Sequence, residues 1–436
     1  MVNARAAALK LLIRLEKDNA YSNIILGKEL SSSDYGAQDK KFISALFYGV
    51  AERKITLDAV INKYSKFKTN KLDCDVLQIL RLGIYQLLYM DSVPESAAVN
   101  ESVKLAKRCK NPSLSGFVNG VLRSVIRDGK KIPVGKTFEE KLSYEYSCPM
   151  WLVEKWVREY GEETAASLVK TSVGKAPVTV RANTLRMSVK EIAEILESDG
   201  FYAENTILDS CLSISGSGAV EETKAYKLGL FHVQDISSQI CAEALGAKSG
   251  ETVLDMCSAP GGKAFTIAEA MENKGKVLAF DLHESRVNLI KDGSERLGLS
   301  IIKAEQNDAA VHSDKIPLAD RILCDVPCSG LGVIRRKPEI KYKNYDDFKE
   351  LPELQLEILK NASKYLKVGG VLIYSTCTVS KAENDLVVDR FLRENPNFQG
   401  VPVYEKFPEL SDYKATVIPE YFNSDGFFIS KLKRIE

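Results

Sequence analysis

The sequence has no uninterrupted apolar run approaching the roughly 18 residues a membrane helix requires, so a membrane-spanning protein is not expected. Its first segment, MVNARAAALKLLIRLEKD, interleaves Arg5, Lys10 and Arg14 with apolar residues instead of clustering charge ahead of them, which argues against a signal peptide. Histidine is scarce, with three in 436 residues, and the nine cysteines lack the close spacing of a disulfide-stapled domain. They read as reduced thiols of a cytoplasmic protein, most of them serving packing. Internal repeats and low-complexity tracts are also missing.

At 45% hydrophobic, the chain can bury the cores of two or three soluble domains. The net charge of +1 conceals an asymmetry: residues 1–130 hold 21 Lys and Arg against 13 Asp and Glu, about +8, leaving about −7 for the remainder. That distribution points to a polyanion-binding module ahead of an enzyme, with a merely solvated basic surface as the alternative.

Periodicity divides the chain further. Residues 1–130 carry apolar residues at three- and four-residue intervals and predict a helical bundle. RDGKKIPVGKT (Arg127 to Thr137) is aperiodic and rich in Gly, Pro and charge, as an interdomain linker would be. Residues 138–230 mix helical and strand-like pieces, as a small α+β domain would. From residue 231 to 436, short apolar strands alternate with amphipathic helices, predicting a doubly wound α/β sheet with its ligand at the carboxyl ends of the strands.

The first of these strands, in TVLDMCSAPGGKAFTIAEA, runs into a Gly- and Pro-containing turn and then a helix. Such a turn can bring backbone N–H groups against a ligand. It lacks both the dinucleotide G-x-G-x-x-G spacing and the P-loop pattern, so a nucleotide-like ligand without a phosphate grip fits better. S-adenosylmethionine is such a ligand. Asp281, ending the second strand, could accept bonds from both ribose hydroxyls, and Asp308, at the end of the third, stands within plausible reach of an adenine amine. Either aspartate alone would more commonly be a helix cap.

Two further strands end in cysteine-bearing polar turns, RILCDVPCSG with Cys328 and VLIYSTCTVSKAEND with Cys377. A free cysteine taken at random is usually a small buried hydrophobe. Both of these follow strand tips on the edge where the glycine loop lies. Cys324 and Cys328 have almost the spacing of half a zinc site, but Cys324 should face the other side of its strand and no histidine is near in sequence, so no metal is expected.

The segments DMCSAPGGK, DVPCSGLG and YSTCTVSKAEND, with GLFHVQDISSQ and DGFFISKL around them, resemble the signatures of the Fmu/Sun RNA cytosine-5 methyltransferases. VPESAAVNESVKLAK and GFVNGVLR resemble the NusB-type helical domain fused to members that act on bacterial 16S ribosomal RNA. The resemblance implies a multidomain protein: an all-α NusB-like bundle, a small α+β RNA-recognition-like domain and a Rossmann-like class I methyltransferase domain. It further implies S-adenosylmethionine as cofactor, 16S ribosomal RNA as partner and a 5-methylcytosine product; a monomer is expected.

The chemistry accounts for two thiols. C5 of cytosine is a poor nucleophile until a thiolate adds to C6. The family pattern assigns that addition to Cys377, protonation at N3 to Asp325, whose pKa burial or neighbours would have to raise, and product release to Cys328. Cofactor-lining positions by resemblance are Cys257, Ser258, Ala259, Pro260, Gly261, Gly262 and Lys263 of the loop, with Asp281, Asp308 and Asp325. RRKPEIKY (Arg335 to Tyr342) reads as an RNA contact combining phosphate-binding cations with a stacking tyrosine, and Arg181 and Asn183 in TVRANTLR as further contacts, with an ordinary surface loop and strand end as the alternatives. Cys148 stands where relatives often show histidine. The same chemistry on transfer RNA or 23S ribosomal RNA, and a non-catalytic RNA-binding or antitermination factor, remain the alternative readings.

Overall fold

In the computed structural model, which describes residues 3–18, 22–32, 35–109, 111–216 and 218–436, the chain forms two compact units. One holds residues 1–174 and 334–343, the other residues 175–333 and 344–436.

The predicted helical periodicity of the first unit folds as α1 (Ala4–Asp18), α2 (Ser22–Ser32), α3 (Ala37–Glu52), α4 (Lys54–Tyr64), α5 (Cys74–Tyr89), α6 (Glu95–Ala106) and α7 (Leu114–Arg127). Leu11, Ile43, Leu46, Phe47, Leu57, Ile79, Leu80, Val118 and Leu122 are buried between them. Each such side chain contributes about 2 kcal/mol relative to exposure. Buried Arg81 is held by both Asp58 oxygens at 2.7 Å. Two more helices, α8 (Phe138–Tyr146) and α9 (Met150–Thr171, broken at Gly161 where φ is 80°), belong to the same unit. The segment expected to be an interdomain linker therefore joins α7 to α8 inside one unit. Lys63 and Tyr64 tie it down by donating to Asp128 at 2.8 and 2.6 Å. Cys148 is fully buried, and burial pushes its thiol up to about 12.

Residues 334–343 also pack within this unit, so the cation and the tyrosine at the end of the expected RNA contact, Lys341 and Tyr342, are held in its packing, while Arg335 and Arg336 are half-buried and Lys337 is exposed. Pro338, Ile340 and Lys341 are buried, and burial lowers the Lys341 amine to about 8. The Tyr342 hydroxyl donates to the Glu52 carbonyl at 2.8 Å and lies 3.2 Å from the Ser147 hydroxyl. Lys341 and Tyr342 thus serve packing, because an apolar stretch (Pro338, Ile340) pulls the alternating polar residues inward with it.

The second unit begins with an antiparallel sheet of β1 (Val178–Ala182), β2 (Phe201–Asn205), β3 (Cys211–Gly216) and β4 (Phe231–Val233), in the order β2-β3-β1-β4. α10 (Val189–Ser198) starts with a capping box between Ser188 and Glu191. Arg181 and Asn183, expected to contact nucleic acid, are buried instead. Arg181 donates to Glu269 at 2.9 Å and to Glu243 at 2.7 Å, and Asn183 donates to the Gly229 and Leu297 carbonyls at 3.0 Å. Both side chains bind this small sheet to the larger layer that follows.

That layer is a mixed sheet ordered β10-β12-β9-β8-β5-β6-β7, in which β11 also pairs with β12. Its strands are β5 (Thr252–Asp255), β6 (Lys276–Asp281), β7 (Ile302–Gln306), β8 (Ala319–Asp325), β9 (Leu366–Thr376), β10 (Phe398–Gly400), β11 (Lys414–Val417) and β12 (Phe427–Arg434). The run β7 to β9 is parallel and β12 is antiparallel to β9. Strand order reverses beside β5, whose neighbours are β6 and β8, and a crevice opens at the carboxyl ends of a parallel sheet at that kind of switch point. No helix among the described residues is long and apolar enough to cross a membrane.

Candidate active site at the carboxyl ends of the parallel strands

Pairing of adjacent parallel strands explains how residues 49 positions apart meet. β8 and β9 are in register, with Asp325 opposite Ser375, so the loops that leave their carboxyl ends run side by side. Cys328 lies three residues beyond β8 and Cys377 one residue beyond β9, and their Sγ atoms are 3.2 Å apart. The contact with Cys377 is the largest influence on the Cys328 thiol and burial the next, and together they raise its pKa well above the ordinary thiol value.

Asp325 ends β8 in the same crevice. Its Oδ2 accepts from Lys263 Nζ at 2.7 Å and its Oδ1 from the Ser375 hydroxyl at 2.9 Å. Burial works against the Lys263 charge, but Asp325 and neighbouring groups outweigh it, and the ammonium is held above its ordinary pKa. Lys263 Nζ also lies 5.1 Å from the centre of the Phe427 ring.

Lys263 is the second residue of α11 (Gly262–Ala270), the helix that follows the glycine loop, residues 257–261, after β5. Gly261 has φ of +109°, and a Cβ there would meet the Phe265 ring at 2.4 Å, so only glycine fits. The Ser258 N–H donates to the Phe280 carbonyl at 2.7 Å, fixing the loop against β6. Cys257 has its thiol pushed well up by burial, as a packing cysteine would. Asp281 ends β6 almost fully buried, accepts from the His283 N–H at 3.2 Å and lies 3.6 Å from Arg286 Nη2. Asp308, just past β7, accepts from the Ala310 N–H at 3.0 Å, the ordinary turn-capping role.

Polar atoms that end without a partner cluster along this edge. Both oxygens of Asp255, the Ser258 hydroxyl and the Asn307 amide nitrogen are buried with no hydrogen bond of normal geometry, although the Ser258 hydroxyl and the Cys257 N–H lie near enough to Asp255 to favour its charge. Unmatched buried polar groups are costly unless something else satisfies them. Four strands thus deliver Asp255, Asp281, Asn307 with Asp308, and Asp325 to one edge, a donor and acceptor set suited to a ribose, an adenine amine and an amino acid.

Asp255 was not singled out from the sequence, although it ends an apolar strand as Asp281 does. Burial pushes its carboxyl up to about 7. Glu383 also escaped notice, because AENDLVV reads as a solvated helix start. It is buried, and its carboxylate accepts from the Ser329 N–H at 2.8 Å, the Ser329 hydroxyl at 2.6 Å and Gln355 Nε2 at 3.1 Å.

Comparison with known proteins adds the family. Residues 242–433 match the model described as 16S rRNA methyltransferase RsmB/F, and a curated "Probable ribosomal RNA small subunit methyltransferase B" of Bacillus subtilis is 39% identical over 99% of this chain and 99% of its own length. The chain belongs to the RsmB/F family of 16S rRNA methyltransferases. An RsmB/F relative of the same name from Synechocystis is 34% identical over the full length of both chains, and "Ribosomal RNA small subunit methyltransferase B" of Escherichia fergusonii is 31% identical over 99% of this chain and 98% of that one. Residues 2–127 match the NusB family and residues 148–221 the ferredoxin-like domain of RsmF/B-like methyltransferases. Among solved structures, PH0851 aligns with a TM-score of 0.82 and 26% identity over 100% of this chain and 99% of its own. NSun6 from Pyrococcus horikoshii with SFG aligns at 0.60 and 23% identity over 66% of this chain and 98% of that one. The helical bundle, small α+β domain and α/β methyltransferase domain expected from the sequence correspond to the NusB, ferredoxin-like and RsmB/F matches, and the crevice described above lies wholly inside the matched RsmB/F segment.

Proposed function

We propose that this protein methylates C5 of a cytosine in 16S ribosomal RNA in the cytoplasm, through a covalent bond between Cys377 and C6 of the base. The observation that carries this reading is the 3.2 Å approach of Cys328 Sγ to Cys377 Sγ beside the Lys263–Asp325 pair. One thiol in a crevice would serve packing or a single addition; two in contact fit a reaction that must both make and break a carbon–sulfur bond.

Bound S-adenosylmethionine supplies an electrophilic methyl group. The chain's own residues do the rest. Cys377 adds to C6 as thiolate while the Lys263–Asp325 pair delivers a proton to N3, leaving C5 nucleophilic. Once C5 carries the methyl group its proton passes to solvent water, the electron pair it leaves behind expels the sulfur from C6, N3 returns its proton to the Lys263–Asp325 pair and Cys377 recovers its thiolate. Cys328, whose sulfur lies 3.2 Å from that of Cys377, assists that release. Asp281 is suited to the ribose hydroxyls, Asp308 and Asn307 to the adenine edge, and loop residues 257–263 to the remainder of the cofactor. The orphaned oxygens of Asp255 and Ser258 support such an occupant.

Bisulfite sequencing of ribosomal and transfer RNA from cells with and without the gene tests this directly. One cytosine of 16S RNA should lose protection when the gene is absent. Loss at a transfer RNA or 23S position would move the substrate, and no change anywhere would reject cytosine-C5 chemistry.

A further inference from the structure

Cys328 and Cys377 sit on separate loops, and nothing in the parallel pairing of β8 and β9 holds those loops together beyond the strand ends. One backbone bond joins them directly, from the Gly332 N–H to the Cys377 carbonyl at 3.0 Å, and next to Cys328 itself the link runs through Glu383. Its carboxylate accepts the Ser329 N–H and hydroxyl, one residue past Cys328, while Gln355 Nε2 donates both to Glu383 and, at 2.9 Å, to the Pro327 carbonyl just before Cys328. The backbone of Glu383 is fixed in turn to the loop that carries Cys377: its N–H donates to the Ser380 carbonyl at 3.0 Å and its carbonyl accepts from the Tyr374 hydroxyl at 2.5 Å. The Ser329 hydroxyl completes the link at 2.8 Å from the Thr378 hydroxyl, next to Cys377. The peptide bonds on either side of Cys328 are therefore tied to one buried side chain six positions after Cys377.

An acidic residue in this place is not a solvated surface charge, since it is 2% exposed. Three donors converge on it, and only an acceptor-only group can meet all three. Glutamine would turn an NH2 group toward at least one of them. Hydrogen bonds to a carboxylate are also roughly twice as strong as neutral ones, which suits a group that must hold a loop.

We propose that Glu383 is a positioning residue that holds the Cys328 loop against the Cys377 turn and so sets the distance between the two sulfurs. This deepens the proposed function and rests on the roles assigned there to the two cysteines. Loss of Glu383 should leave addition by Cys377 and methyl transfer in place but impair the release that Cys328 assists.

The test uses two readouts on the full-length protein. Phenylarsine oxide bridges two thiols in contact, and the rate at which it protects the Cys328 and Cys377 peptides from alkylation can be followed by mass spectrometry without RNA or cofactor. A denaturing gel with labelled 16S RNA and S-adenosylmethionine measures the covalent protein–RNA adduct. For Glu383→Gln, bridging should slow about tenfold and the adduct should accumulate about tenfold over wild type, as hydrogen bonds to a charged group are worth roughly that much. Should Glu383→Gln fail to fold, Ser329→Ala removes a single bond to the carboxylate and should shift both readouts in the same direction by about threefold. Bridging at the wild-type rate overturns the positioning role, whatever the adduct does. Slowed bridging with no adduct in any protein, Cys328→Ala included, would uphold the positioning of the thiols and reject the covalent mechanism instead.

Discussion

Lys263 Nζ and Asp325 Oδ2 are 2.7 Å apart across the crevice, joining the first turn of the helix after the glycine loop to the carboxyl end of β8. If this pair supplies the proton to N3, Asp325→Asn should lower methylation by about 10²–10³-fold. It should also destabilise the fold by about 2 kcal/mol, since Lys263 is left with a buried, unpaired charge at a site that is only partly shielded. Single-turnover methylation and urea unfolding measure the two effects. Activity within threefold of wild type would remove Asp325 from proton transfer.

Asp255 makes stability depend on pH. Its carboxyl is raised to about 7 in the folded protein. Between the unfolded value of about 4 and 7, the native state binds a proton that the unfolded chain has lost, so this group's contribution declines as pH rises through that window. Asp255→Asn should be close to wild type in stability at pH 4 and more stable above pH 7, by up to about 4 kcal/mol. Thermal melts across the range check this. A difference that is constant with pH would mean that Asp255 does not titrate there.

Asp281→Ala should weaken S-adenosylmethionine binding by about tenfold to hundredfold, because two ribose hydroxyls lose their acceptor. Calorimetry that finds equal affinity would take Asp281 out of the cofactor site.

The excess positive charge of the first 130 residues is testable without cutting into the helical unit, which extends to residue 174. Lys107, Arg108, Arg123 and Arg127 are exposed on and beside α6 and α7. Replacing all four with alanine should reduce the slope of log affinity for 16S RNA against log salt by about 3, since each phosphate contact releases close to one counterion. Cofactor affinity should not change. An unaltered slope would mean that these cations are only solvated surface.

Most of the fold was legible because its signals are local. Helical periodicity announced α1 to α7, and the alternation of strand and helix from residue 231 announced the parallel sheet and its ligand-bearing edge. The thiols could be placed at strand tips, but that Cys328 and Cys377 touch depends on the adjacency of β8 and β9, a long-range pairing that no local pattern encodes. Arg181, Asn183, Lys341 and Tyr342 were misread for a related reason. Their charge or amide resembles a surface contact in the sequence, whereas Arg181, Asn183 and Tyr342 bond to distant segments, such as Glu269 for Arg181 and Glu52 for Tyr342, and Lys341 is buried with no hydrogen-bond partner for its amine. Glu383 illustrates the converse, a buried carboxylate whose three donors lie 28 and 54 positions away.

The measurement that bears most directly on the covalent mechanism is a denaturing gel of labelled 16S RNA incubated with S-adenosylmethionine and the wild-type, Cys377→Ala, Cys328→Ala or doubly substituted protein. Cys328→Ala should accumulate a denaturant-resistant protein–RNA adduct, and Cys377→Ala and the double variant should form none and transfer no methyl group. An adduct in Cys377→Ala but not in Cys328→Ala would place the nucleophile in the Pro-Cys loop, and full activity without adduct in both single variants would contradict covalent catalysis by these cysteines altogether.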